Sequence, residues 1–145
     1  MAEAEAAFGE QIAALVGGAA GESDQPGIDL LIIETMSDIK EVEAAVSAAR
    51  AVAPDLPIIA QMTFTRDDKT LLGYPPDALA THLARLEVDA VGINCSGGPA
   101  QVLRLLGVVR QLAPEVSAST SPNARWPRHK AGRPGMYTAT PHYLA

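Results

Sequence analysis

Four short apolar runs, each set beside a stretch of helical periodicity, constrain this chain more than any other feature. The runs are Ile28–Ile33, Pro57–Met62, Val88–Ile93 and Val116–Thr120. In the first, Leu30, Leu31, Ile32 and Ile33 do not alternate with polar residues, which predicts a strand buried on both faces. Ser37 is placed to cap the helix that follows, with Asp38 and Glu41 in its first turn and Ile39, Val42, Val46 and Ala49 on its buried face. Pro54 ends that helix. Pro75 and Pro76 lead into another, with Leu79, Leu83 and Leu86 inward. Pro99–Leu112 forms the next, with Val102, Leu105, Leu106, Val109 and Leu112 inward. Strand and helix alternating with short joints predict parallel βαβ units.

The chain carries no Gly-x-Gly-x-x-Gly after a strand and no Gly-x-x-x-x-Gly-Lys. That argues against a dinucleotide or P-loop fold. The remaining parallel architecture is a (β/α) barrel, whose full size is about 250 residues. A chain of 145 residues would hold about half of one. The expected fold is therefore α/β: a partial TIM barrel of about four βα units. Residues 3–16 add an Ala- and Glu-rich helix with Phe8, Ile12, Leu15 and Val16 on one stripe. Residues 17–27 have loop composition and read as an insertion. Ser121–Gly135 reads as a long Pro-, Gly- and Arg-rich loop, Met136–Thr138 as an edge strand, and Thr140-Pro141 as the first turn of a last helix.

With 48% hydrophobic and 19% charged residues the chain is globular rather than disordered. A net charge of −6 argues against nucleic acid or an anionic membrane as partner. No apolar run approaches the roughly 20 residues that span a bilayer. A single cysteine excludes an internal disulfide and fits a reducing, cytoplasmic setting.

Chemistry is expected where strands end. Cys95 lies in Val91-Gly92-Ile93-Asn94-Cys95-Ser96-Gly97-Gly98-Pro99, between a strand and a helix. In α/β folds this edge is where ligands bind. Polar residues recur at the corresponding places: Glu34 and Thr35, Gln61 and Thr63, Asn94 and Cys95, Ser119 and Asn123. Each has an ordinary explanation as well. Thr, Ser, Asn and Gln bond to turn backbone, and a lone cysteine beside a strand behaves as a small hydrophobe.

Four segments, taken in order, resemble motifs of the homocysteine S-methyltransferases. They are Ile33-Glu34-Thr35-Met36-Ser37-Asp38, Ile59-Ala60-Gln61-Met62-Thr63-Phe64, Gly92 to Pro99, and Pro122-Asn123-Ala124. The family is a zinc-dependent barrel domain, found in methionine synthase and in bifunctional homocysteine methyltransferase–methylenetetrahydrofolate reductases. The resemblance implies that Cys95 matches the first of three zinc-binding cysteines. It implies that Glu34 helps hold homocysteine, and that Asn94 adjoins the ligand. Zinc would keep the substrate as its thiolate, which attacks an activated methyl group to give methionine. The donor would be methyltetrahydrofolate, methylcobalamin or S-methylmethionine. The family's other two zinc cysteines form an adjacent pair on the last barrel strand, a segment this sequence does not contain. The expectation is thus an internal piece truncated at both ends, with an incomplete zinc site and no activity alone, since zinc sites take at least three protein ligands.

His82, His129 and His142 read as surface residues. The basic loop around Arg125, Arg128, Lys130 and Arg133 reads as solvated, or as a contact for an anionic donor such as a folate. Two further readings stay open. One is a non-enzymatic half barrel that forms homo-oligomers through its uncovered strand edges. The other is a cysteine-nucleophile enzyme, which would need a histidine base beside Cys95.

Overall fold

The computed structural model describes residues 1–18, 28–128, 132 and 135–144. Nine elements follow in order: α1 (Ala2–Gly18), β1 (Leu31–Met36), α2 (Ile39–Val52), β2 (Ile58–Met62), α3 (Pro76–Leu83), β3 (Ala90–Asn94), α4 (Pro99–Leu112), β4 (Ser117–Ser121) and α5 (Pro141–Leu144). The strands form one sheet in the order β1-β2-β3-β4, and every pairing is parallel. The α/β reading and its four strands therefore stand. Most of the expected 17–27 insertion, together with His129, Lys130 and Arg133, lies outside the described residues.

One face of the sheet carries the core. Leu31, Ile33, Ile58, Ala60, Met62, Val91 and Ile93 pack against Val42, Val46 and Ala49 of α2, Leu79 and Leu83 of α3, and Val102, Leu105 and Val109 of α4. The register explains the shared face: Ile33 pairs with Ala60, Ala60 with Val91, and Met62 with Ile93, so these side chains point the same way. Ile12 of α1 joins this cluster, with Phe8 and Val16 beside it.

The structure corrects the sequence reading in several places. β1 begins and ends three residues later than Ile28–Ile33 and is not buried on both faces. Leu31 and Ile33 are buried, whereas Leu30 is 42% and Ile32 53% exposed, because helices cover only one side of the sheet. Asp38, not Ser37, caps α2: its side chain accepts from the backbone N–H of Lys40 at 2.9 Å. Leu15 and Leu112 lie on the expected stripes but are about half exposed. The next residues, Val16 and Ala113, turn inward instead. β4 spans Ser117–Ser121 and is open on both faces, with Ala118 and Thr120 exposed. Met136 does not extend the sheet. It forms an isolated antiparallel bridge with Arg128 instead.

Arg50 fastens the lower side of the sheet. From the last turn of α2 it donates to the carbonyls of Pro54, Leu56 and Glu87 and to Asp89 Oδ2. Asp89 in turn accepts from Ile58 N at 2.8 Å. The backbone entering β2 is thereby tied to the backbone entering β3.

Candidate functional site

Parallel strands put all their carboxyl ends on one edge, and the polar residues singled out above meet there in two layers. The lower layer joins β2 to β4: Gln61 Nε2 donates to Ser119 Oγ at 3.0 Å. Gly92 lies between them, and a Cβ there would collide with the Ser119 carbonyl oxygen. The glycine lets β3 and β4 approach with Gln61 reaching across.

The upper layer joins β1 to β3 through Asn94. This side chain is 1% exposed and uses its whole amide. Its Oδ1 accepts from Thr35 N at 2.9 Å, and its Nδ2 donates to Thr35 Oγ1 at 2.7 Å and to Glu34 Oε2 at 3.4 Å. The target of these bonds is an irregular stretch. Between Ile33 and Met36 the β1–β2 register slips by one residue, a bulge. Thr35 sits there at φ 62°, the left-handed region, where a β-branched residue is strained by about 1–3 kcal/mol. Asn94 holds that conformation, and the bulge turns Glu34 outward at the rim, where it is exposed.

Cys95 follows directly, also left-handed at φ 47°, with its N–H donating to Ser121 O at 3.2 Å. Its thiol is exposed. Ser96 is fully buried beneath. It accepts from Phe64 N at 2.9 Å and donates to Asn94 O at 3.2 Å. Asn123 closes the turn from the far side, donating to Ser96 O and Gly97 O. Thus Glu34, Asn94 and Cys95 share one edge, Gln61 and Ser119 lie level with Gly92, two residues below Asn94, and Thr35 and Ser96 are structural members that polarity alone did not distinguish.

The histidines are elsewhere. His82 of α3 faces Glu43 of α2 at 3.6 Å on the helix layer, and His142 lies in α5. Among the described residues no hydrogen bond joins a histidine to Cys95, so nothing there supplies the base that a cysteine nucleophile would need. Among the described residues no three His, Cys, Asp or Glu side chains converge to hold a metal ion. The described donor set, one thiol with no second sulfur or imidazole, does not fit a zinc site by itself.

The sequence profile of the family described as Homocysteine S-methyltransferase matches residues 1–145. The chain belongs to the homocysteine S-methyltransferase family. The match runs through α1 as well as the four βα units. Methionine synthase of Mycobacterium tuberculosis is 31% identical over 105 residues, 70% of this chain and 9% of that protein. Methionine synthase of Mycobacterium leprae is 30% identical over the same shares. The crystal structure of the homocysteine methyltransferase MmuM from Escherichia coli, in its apo form, superposes with a TM-score of 0.64 at 24% identity, covering 82% of this chain and 44% of that one. At that identity the likeness is one of fold. The chain thus spans under half of that solved homocysteine methyltransferase and a small part of the methionine synthases.

Proposed function

We propose that this chain forms the homocysteine-binding edge of a homocysteine S-methyltransferase, with Glu34 as the group that pairs with the substrate ammonium. One observation carries the reading: a bulge presents Glu34 at the rim, and a buried, fully bonded Asn94 fixes that bulge beside Cys95. An outward carboxylate on a braced backbone suits an ammonium, because the partner is positioned before the ligand arrives. Asn94 acts through Glu34 and Thr35, since its amide has no hydrogen left to offer a ligand.

Cys95 is assigned here as one thiolate donor toward zinc, by family membership and by its exposed place at the rim. The further ligands would come from outside the described residues. After exhaustive dialysis the chain is expected to hold well under one equivalent of zinc by metal analysis, and to form no methionine from homocysteine with S-methylmethionine or methyltetrahydrofolate. A cytoplasmic setting fits the free thiol. No helix among the described residues is long and apolar enough to cross a membrane.

Titration calorimetry with homocysteine tests the assignment. Glu34→Gln is expected to weaken binding about tenfold, the loss of one charge-assisted contact. Equal affinity in wild type and Glu34→Gln, or no binding by wild type, overturns it.

The exposed Leu30 and Ile32, together with the uncovered β4, favour a second reading in which the chain associates through its sheet. Sedimentation at micromolar concentration is expected to give a species larger than 15.1 kDa. A monodisperse monomer would eliminate this reading and leave the homocysteine assignment untouched.

A further inference from the structure

A second feature, built from α4 and the segments that follow β2 and β4, is not used by the homocysteine reading. Three arginines far apart in sequence converge on one recess of about 350 Å³: Arg66 after β2, Arg104 in α4 and Arg128 after β4. Trp126, Pro127 and Gln101 complete its wall. The wall is locked. Trp126 Nε1 donates to Gln101 Oε1 at 3.0 Å, and Gln101 Nε2 donates to Thr65 O at 2.7 Å and Asp68 Oδ1 at 2.9 Å. A Cβ on Gly97 would come within 2.8 Å of Trp126 Nε1, so the wall also rests on the turn that follows Cys95.

The charges do not balance. Asp68 is committed to Arg104 through a two-pronged pair at 2.8–3.0 Å. Arg66 lies over the Trp126 ring, 5.2 Å from its centroid, and among the described residues neither Arg66 nor Arg128 has a carboxylate within ion-pair distance. The chain as a whole carries −6, so this cationic excess is local rather than compositional. Like charges gathered at one place destabilise a fold unless a counter-charge joins them. Guanidinium forks match the paired oxygens of a carboxylate or phosphate.

We propose that this recess binds a small dianion, a dicarboxylate or a phosphate, between Arg66, Arg104 and Arg128 and against Trp126. The volume suits a small molecule. Arg104 is already held by Asp68, so Arg66 and Arg128 are the two arms that take up the ligand. The site stands whether or not Glu34 binds homocysteine.

Trp126 is the only tryptophan in the chain, so its emission reads this recess alone. Inorganic phosphate and glutarate are titrated separately into the full chain, with sodium chloride at matched ionic strength as control. At least one dianion is expected to shift Trp126 emission to a plateau below about 20 mM, and chloride is expected to give none. The arm that saturates at lower concentration identifies the oxyanion. Arg128→Gln, at an exposed position, is expected to raise the half-saturation point about tenfold, and Arg66→Gln likewise, both read by calorimetry, which does not depend on the altered tryptophan environment. Glu34→Gln is expected to leave the titration unchanged, which separates this site from the homocysteine assignment. No plateau with either dianion, or an unchanged half-saturation point in a folded Arg66→Gln/Arg128→Gln double variant, overturns the proposal.

Discussion

The two faces of the one sheet are built from alternate residues of the same strands, yet they have opposite characters. The helix side is dry and aliphatic, Leu31, Ile33, Ile58, Ala60, Val91 and Ile93. The other side runs from exposed Leu30 and Ile32, through the Gln61–Ser119 bond, to the Asn94 network at the rim. Apolar packing is concentrated on the first face and the polar network at the upper edge of the second. A single residue step along a strand moves a side chain from one regime to the other.

Four substitutions measure that contrast, taken from the largest effect to the smallest. Ile93→Ala empties a fully buried position between sheet and helices, and chemical denaturation is expected to show a loss of about 3 kcal/mol. A loss below about 1 kcal/mol would mean that the helix layer does not carry the fold. Gly92→Ala, one residue earlier and on the opposite face, drives a methyl group into the Ser119 carbonyl. It is expected to cost about 1–3 kcal/mol through displaced backbone, although it adds apolar volume.

Asp89 gives a smaller, pH-dependent effect at the lower edge. Its carboxyl is held below the ordinary carboxylate range, first by the hydrogen bond from Ile58 N and then by Arg50, against a desolvation that works the other way. A depressed carboxyl stabilises the folded state above its unfolded pKa of about 4, and the contribution is lost as pH falls through the folded value. The gap in Tm between wild type and Asp89→Asn is therefore expected to be open at pH 7 and to close in acid. A gap independent of pH would remove the ionic part of this tie. Last, Ile32→Ser on the open face is expected to change stability by within about 0.5 kcal/mol, while lowering any self-association seen by light scattering. A core-sized loss would show that the open face is buried in solution.

Periodicity made the helices legible, α4 to the residue, because an amphipathic stripe between prolines states its own limits. Strands were legible in number and direction but not in their limits. Ile28–Ile33 became Leu31–Met36 because a strand extends as far as its neighbour pairs with it, and β2 begins pairing at Leu31. Ser37 and Asp38 have the same capping preference, so sequence could not separate them. At the site, Glu34, Asn94 and Cys95 were visible as polar strand ends. The left-handed turns at Thr35 and Cys95 were not, since neither residue type favours that conformation and only Asn94, across the sheet, enforces the first. The arginine recess draws on three segments brought together by the fold, and composition showed only a basic loop.

The plain order of the sheet bears on how the chain is made. Each strand pairs with the one next in sequence, about thirty residues away, so every pairing closes a loop of similar, modest entropy. Synthesis from the amino end would supply each new strand with a template that has already emerged, and no strand must wait for a distant partner to be translated. The sheet can grow from β1 toward β4 in the direction of translation, with β1 as one edge strand throughout and the newest strand as the other.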